Sequence, residues 1–411
     1  MGMPTQKCLP LGLLQPTKIK ERLLRETYST FLSMARVALG ASNSVRSRGQ
    51  LHKVTYGRFK EQYGVASQLV IEATSYAWSI RKSSGCVRGI HKCIVRFDSR
   101  LFSFKRTARG NPVLSLRLNK GRVAIPISQD GAYKRFLQHL RKDWHLTSII
   151  MKHDLSLLAV LSKEMPKPPI RLKVIGIDIN SSKIAVTIIG NGKVLKQCYF
   201  GQDLSTKQFL FTERRRVLQK YRDTTSKGKA GLKLKCLSGK QRNYIRTRVW
   251  QIANEIISLA NTFNANIKIE RLRHIGKRKG QFNKNIRRKI NRIPCVFFRH
   301  ALKCVAERKS IAVSEINPRY TSQTCPRRGY TGKENWTNYS YFRCKNCGYE
   351  ADRDRVASLN IALRASQSPS AMAQAPRRGA SVSSLVWQDE GCERLHQITP
   401  SCKPTNSFVG N

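Results

Sequence analysis

Apolar positions along this chain change their period from one region to the next. In TKIKERLLRETYSTFLSMARVAL, Leu23, Leu24, Tyr28, Phe31, Leu32 and Ala35 recur at helical spacing. YGRFKEQYGVASQLVIEATSYAWSIRK repeats the pattern with Tyr63, Ala66, Leu69, Val70 and Ala73, so 17–85 is expected to be helical. Between 86 and 165 the period shortens. HKCIVRF, LFSFKR, PVLSLRL and RVAIPI alternate apolar with polar residues between Gly, Asn and Asp turn signals. That pattern predicts a small antiparallel sheet or barrel, interrupted by a helix near 131–142. EMPKPPI (164–170) holds Pro166, Pro168 and Pro169 and reads as a linker.

A third pattern starts at Arg171. RLKVIGIDI, SKIAVTIIG and KVLKQCYF are consecutive strands joined by tight Asn/Ser/Gly turns. Helices follow at about 205–223 and 238–264, then the strand NIKIE (266–270), a helix over 286–309 and the strand SIAVSEI (310–316). A Cys-bearing loop occupies 317–350 and a helix starts near Asp354. Three antiparallel strands followed by alternating helices and strands is the order of an RNase H-like α/β domain. The tail 366–411 is rich in Ser, Ala, Pro and Gln, has weak periodicity and is expected to be disordered. No internal repeat is evident.

Charge narrows the class. The 411 residues hold 77 Lys/Arg against 24 Asp/Glu, a net charge of +53. Self-repulsion of that size opposes compaction and calls for a polyanionic partner. The 40% hydrophobic content and runs such as VIGIDI exclude a wholly disordered basic protein. No stretch approaches the roughly 18–20 apolar residues of a membrane span. MGMPTQKCLPLGLLQP lacks the h-region of a signal peptide, so a soluble intracellular protein is expected. Of twelve Cys, only Cys325, Cys344 and Cys347 cluster, a pattern that points to metal before disulfide.

Acids are scarce enough that each one in an apolar context is informative. Asp178 sits inside VIGIDIN, where an unpaired carboxylate is costly and something must compensate it. Glu270 ends NIKIE. Asp352 and Asp354 stand at the start of a helix whose Val356, Leu359, Ile361 and Leu363 are suited to packing on a sheet. Taken singly, an acid at a helix start is explained as an N-cap. Taken together, acids on separate elements of one α/β domain match two-metal phosphodiester hydrolysis, in which carboxylates hold two Mg²⁺ about 3.5–4 Å apart. Glu255, Glu307 and Glu315 lie in helix or strand patterns and read as solvated or paired with basic neighbours.

Cys344-Lys-Asn-Cys347 is a CxxC knuckle. Cys325 opens a second knuckle whose last position is Arg328, and no His or Cys lies between 326 and 343. Structural Zn²⁺ takes four Cys/His ligands, so three thiolates leave either a ribbon completed by water or another ligand, or one that has lost its metal. The run NPRYTSQTCPRRGY…YFRCKNCGYEADRDRVASLNIAL resembles the C-terminal part of TnpB (OrfB) proteins of insertion sequences, and type V CRISPR effectors are similar there. GIDIN resembles the first RuvC motif and IKIERL the second. The resemblance covers about 171–365.

The resemblance implies a RuvC nuclease domain with an inserted zinc-ribbon-like loop, after a helical recognition region and a small β-rich wedge. The expected segments are 1–85 (recognition), 86–165 (wedge), 166–316 (motifs I and II), 317–350 (ribbon), 351–365 (motif III) and the tail 366–411. By resemblance Asp178, Glu270 and Asp354 are the catalytic Mg²⁺ ligands, with Asp352 the lesser candidate, and Cys325, Cys344 and Cys347 the zinc ligands. Three positions depart from the family pattern: Arg328 for Cys, Asn180 for Gly and Val356 for Asn. The first leaves the zinc set one ligand short. The second alters the turn into the next strand, and the third removes a polar contact near the site. The implied activity is that of a guide-RNA-directed DNA endonuclease in the bacterial cytoplasm, at the nucleoid. Its partners would be a guide RNA and a double-stranded DNA target, with sequence read by base pairing. Alternatives are a miniature type V CRISPR effector, a guide-bound repressor that does not cut, and a generic basic nucleic-acid protein. The sequence sets no oligomeric state.

From Arg271 to Lys309 there are fourteen Lys/Arg and one acid, Glu307. Lys277, Arg278, Lys279, Lys284, Arg287, Arg288, Lys289 and Arg292 form the densest part and are read as phosphate contacts to the cut strand or the heteroduplex. RRRVLQKYR (214–222) and KGKAGLKLK (227–235) extend the basic footprint. Phe282, Trp336 and Tyr339 are candidates for stacking on unpaired bases, against the ordinary reading of packed aromatics. His274 and His300 read as phosphate or core contacts.

Overall fold

The computed structural model describes residues 3–84, 89–180, 183–224, 227–271, 295–337 and 340–364. The eight basic candidates from Lys277 to Arg292, with His274, Phe282, Tyr339 and the tail 366–411, lie outside the described residues. The chain divides into two compact units between Lys167 and Pro168. Both mix helix and sheet.

The first unit opens with a strand, β1 (Met3–Leu11), where the apolar pattern marks no element. Helices α1 (Lys18–Ala41), α2 (Arg48–Tyr63) and α3 (Ser67–Ser84) follow. Next come β2 (Val95–Asp98), β3 (Phe102–Arg106), β4 (Pro112–Leu118), β5 (Gly121–Pro126), α4 (Gly131–Leu140), β6 (His145–Met151) and β7 (Leu157–Met165). The strands form two antiparallel sheets, β1-β7-β6-β2 and β3-β4-β5. β1 pairs with β7 over its whole length and stands at the end of its sheet, the edge position that tolerates Pro4 and Pro10. Thr17, Ser47 and Asp130 cap α1, α2 and α4 with their side-chain oxygens. Leu24, Phe31 and Ala35 of α1, and Leu69, Val70 and Ala73 of α3, are buried, as their spacing predicts. They share one core with Val95, Phe97, Ile149, Leu157 and Leu161 of the strands.

The second unit begins with β8 (Lys173–Ile179), β9 (Ile184–Gly190) and β10 (Lys193–Phe200), then α5 (Gln202–Thr224) and α6 (Lys227–Thr262). β11 (Ala265–Glu270), α7 (Cys295–Glu307) and β12 (Val313–Ile316) come next, then β13 (Tyr341–Arg343), β14 (Glu350–Asp352) and α8 (Arg353–Leu363). The five-stranded sheet runs β10-β9-β8-β11-β12; β8, β9 and β10 are antiparallel, while β11 joins β8 and β12 in parallel. α6 is longer than its periodicity suggests. It continues through KGKAGLKLK, where Gly228 and Gly231 weaken the helical signal.

Strand alternation sorts the sheet into two faces. Ile175, Ile177, Val186, Ile188, Ile267 and Ile269 pack with Val249, Ile252 and Ile256 of α6 and Phe298 and Leu302 of α7. Gly176, Asp178 and Lys268 point the other way, toward α8, which packs on β8, β9 and β11. The approach is close. A Cβ on Gly176 would stand 2.1 Å from the Ser358 carbonyl oxygen and 2.5 Å from the Ala362 amide. On the same face Thr187 and Ser358 share a hydrogen bond of 2.6 Å, and Lys268 Nζ donates to the Ala362 carbonyl at 3.0 Å, tying down the C-terminal end of α8. The two nearest of the three atoms that oppose a Cβ at Gly176 are backbone, so Gly176→Ala is expected to destabilise this unit by about 3 kcal/mol or more. Denaturant unfolding of wild type and variant checks this; a change below about 0.5 kcal/mol, the level of an ordinary surface substitution, would contradict it.

Candidate active site

Asp178 is the penultimate residue of β8 and Glu270 the last of β11. The parallel pairing ends at Ile177 and Ile269, one residue before each acid, so both carboxylates leave neighbouring strands at one level and on one face. Strands in a sheet lie about 5 Å apart. α8 contributes the third acid. Asp352 caps its N-terminus, accepting from the amides of Asp354 (2.9 Å) and Arg355 (3.2 Å), and Asp354 in the first turn is buried. Of the two acids in DRDRVAS, one is thus taken up by the cap and the other is turned toward the strand ends.

The surroundings explain each carboxylate's state. Burial pushes the Asp178 carboxyl well above its ordinary range, and the charges of Glu270 and Asp354 push it further, against partial relief from Arg353 and Lys183. Burial also raises Glu270, opposed by a hydrogen bond from Thr321 Oγ1 at 2.5 Å and by the Arg364 charge. Thr321 is itself held in place: Asn360 of α8 donates to the carbonyls of Thr321 and Thr324, both at 2.7 Å. A hydrogen-bond chain therefore runs from the helix bearing Asp354 to the carboxylate of Glu270. Asp354 accepts from Asn180 Nδ2 at 2.7 Å and pairs with Lys183 Nζ at 3.2 Å.

Asn180, Lys183, Thr321 and Asn360 escape the sequence reading. Asn180 registers there as a departure from a family glycine, yet it donates to the third acid. Asn360 carries a usable signal, a lone amide in the apolar helix run VASLNIAL. Thr321 has none.

Other candidates are settled by their partners. Glu315 pairs with Lys303 at 2.6 Å and Arg299 at 3.1 Å, Glu255 pairs with Arg248 at 2.8 Å, and Glu307 is exposed. His300 is exposed, with the Cys304 sulfur at 3.7 Å. Trp336 is exposed; its indole N–H donates to the Ser322 carbonyl at 2.7 Å and the Arg353 guanidinium lies 5.2 Å from its ring.

The cysteine loop contains two matching turns. In each, the leading Cys accepts from a Gly amide (Gly329, 2.8 Å; Gly348, 2.9 Å) and donates to a Tyr carbonyl (Tyr330, 2.8 Å; Tyr349, 2.8 Å). Both glycines have φ of +69°, which a side chain would resist. Arg328 therefore holds in the first turn the place that Cys347 holds in the second. The sulfurs of Cys325, Cys344 and Cys347 lie within 4.8 Å of one another, the one such group of potential metal-ligand atoms among the described residues. The Cys325–Cys347 separation is 3.6 Å, close to the sulfur spacing around a tetrahedral ion with Zn–S of about 2.3 Å. Burial pushes the Cys325 thiol up to about 12. Cys347 is lowered, because the Tyr349 amide and the neighbouring thiols outweigh its burial. Val356, where the family pattern has a polar residue, is fully buried against Cys325, Phe342 and Cys344, so α8 is anchored to this loop by packing.

A family described as Cas12f1-like, TNB domain, matches residues 297–361, which span most of α7, the cysteine loop and most of α8. TnpB-like protein MJ0751 of Methanocaldococcus jannaschii is 25% identical over 268 residues, 64% of this chain and 92% of that protein. The chain is related to the TnpB family and, with it, to the type V CRISPR effectors. The CRISPR-associated endodeoxyribonuclease Cas12f1 of Syntrophomonas palmitatica is 32% identical over 186 residues, 43% of this chain and 36% of that protein. Among solved structures, that of a Cas12f1-sgRNA-target DNA complex matches with a TM-score of 0.58 at 15% identity, covering 84% of this chain and 82% of that one, a likeness of fold. No helix among the described residues is long and apolar enough to cross a membrane.

The raised Asp178 carboxyl has a measurable sign. A group whose proton is held more tightly in the folded state contributes most stability at low pH and loses it as pH rises from the usual carboxylate range through the raised value. Asparagine does not titrate. Asp178→Asn is therefore expected to raise the thermal midpoint of the metal-free protein, by more at pH 8 than at pH 5. An equal change at both pH values, measured by calorimetry, would contradict the raised carboxyl.

Proposed function

We propose that this chain is an RNA-guided DNA endonuclease of TnpB type, cutting with a single RuvC-like site. The observation that carries the reading is the convergence of three carboxylates from elements far apart in sequence, Asp178, Glu270 and Asp354, in a protein of charge +53: Glu270 and Asp354 are near enough to raise Asp178, although the oxygens of the three do not all lie within 4.8 Å of one another. Glu270 and Asp354 are buried and each has a hydrogen-bond support, and with Asp178 beside them they offer the oxygen donors that hard divalent cations take. Asp178, Glu270 and Asp354 would hold Mg²⁺, two ions in this reading, which when bound supplies activation of water and stabilisation of the leaving oxygen. The chain's part is orientation. Asn360 and Thr321 aim Glu270, Asn180 aims Asp354, and the contact at Gly176 sets the distance of α8 from β8. Kinship with a CRISPR-associated endodeoxyribonuclease supports a nuclease. The fold match to a complex of Cas12f1 with sgRNA and target DNA supports a guide RNA and a DNA duplex as partners. The basic segment 277–292 would grip phosphates without reading sequence, with binding that weakens steeply with salt. Transposon association and a place at the nucleoid belong to the same proposal.

The decisive experiment co-expresses the chain with its flanking DNA, sequences the co-purifying RNA and incubates the complex with a matching duplex and Mg²⁺. A discrete RNA ending in a variable segment, and a cut matched to it, are expected. Asp178→Ala should lower cleavage by about a hundredfold or more while leaving RNA bound. Undiminished cleavage by that variant would refute the assignment, and binding without cleavage by wild type would favour a guide-bound repressor.

For the cysteine loop we propose a structural zinc held by Cys325, Cys344 and Cys347, with a fourth ligand from outside the knuckle positions. The matching turns and the sulfur spacing support it. Elemental analysis of purified protein is expected to find about one zinc per chain, abolished by Cys344→Ala. Zinc-free wild type would mean a ribbon held by packing alone.

A further inference from the structure

Lys183 immediately precedes β9 and has no part in the proposed cleavage chemistry. Its ammonium nevertheless sits among the acids. Nζ lies 3.1 Å from Asp352 Oδ2, 3.2 Å from Asp354 Oδ2 and 4.1 Å from the centre of the Tyr199 ring. The side chain is largely buried. Its backbone is anchored too, the Lys183 carbonyl accepting from the Asn180 amide at 3.0 Å. The position is a built one, with two anions and a π face around one cation.

The oxygens of Asp354 show what this does to the site. Oδ1 accepts from Asn180, and Oδ2 faces Lys183. A neutral amide shares a carboxylate with a divalent ion easily. An ammonium beside the same oxygen repels that ion at short range in a poorly screened setting. The two acids are also differently committed. Asp352 spends Oδ1 on the α8 cap and Oδ2 on Lys183, so it anchors the lysine, while Asp354 is the partner the lysine is able to release. On release Lys183 keeps Asp352 and the Tyr199 ring.

We propose that Lys183 is the resident counter-ion of the acidic site: it holds Asp354 while no divalent ion is present, gives up that one contact when an ion binds, and so sets the ion concentration at which the site fills. Lys183 is a positioning residue in this role, and the role rests on the metal-site reading of Asp178, Glu270 and Asp354. It gives the chain a way to keep a cluster of acids folded before metal arrives.

The test is Mn²⁺ binding to the full chain stripped of nucleic acid, followed by electron paramagnetic resonance, with Asp178→Ala/Glu270→Ala as the blank. Lys183→Met and Lys183→Gln remove the charge; Lys183→Arg keeps it. Either neutral variant that folds is expected to bind Mn²⁺ about tenfold more tightly than wild type, and Lys183→Arg close to wild type, because one repelling charge is removed or kept. Binding by a neutral variant where wild type shows none would support the proposal as well. Neutral variants that bind as wild type does, or more weakly, would overturn the counter-ion role and leave the metal site standing. If no protein binds above the blank, the metal-site reading falls and the counter-ion role with it.

Discussion

The second unit is organised around a contact that a single side-chain atom would prevent. Gly176 lets the backbone of α8 rest on β8 closer than any other residue allows. That approach carries Asp354, in the first turn of α8, to the ends of β8 and β11, where Asp178 and Glu270 emerge. Thr187 with Ser358, Lys268 with the end of α8, and Val356 against the cysteine turns then lock the helix at its middle, its C-terminus and its outer side. The cysteine loop serves this geometry as well, since its Thr321 is the hydrogen-bond partner of Glu270.

Electrostatics gives the arrangement its tension. A chain with so large an excess of cations has many ways to neutralise an acid, and it does so at Glu315, Glu255 and Asp203. At the strand ends it does not complete the job. Glu270 and Asp354 crowd Asp178 with like charge, and Arg353 and Lys183 relieve it only in part. Folding free energy is given up locally to keep these acids together, a pattern seen where function and stability compete.

The acids and strands were readable because their signals are local. An acid inside VIGIDI, or at the end of NIKIE, violates its own neighbourhood, and strand runs punctuated by Asn, Ser and Gly announce themselves. β1 was not readable: Pro4 and Pro10 argue against a strand, and only the edge position beside β7 makes them harmless. Asn180 and Lys183 were hidden for another reason. Their roles arise from side chains that meet Asp354 more than 170 positions away, and no period or spacing encodes that meeting. Val356 looked like a lost polar contact until the cysteine turns supplied an apolar surface for it. The two knuckles show the opposite case. Their spacing was legible, and the structure adds that Arg328 sits in a turn whose backbone matches that of Cys344–Cys347.

We propose that the ends of β8 and β11 and the start of α8 make one divalent-cation site. Its most direct test is an anomalous difference map from crystals grown with Mn²⁺. Peaks are expected within coordination distance, about 2.0–2.3 Å, of carboxylate oxygens of Asp178, Glu270 and Asp354. Peaks elsewhere only, with Lys183 still seated on Asp354 at saturating Mn²⁺, would contradict it.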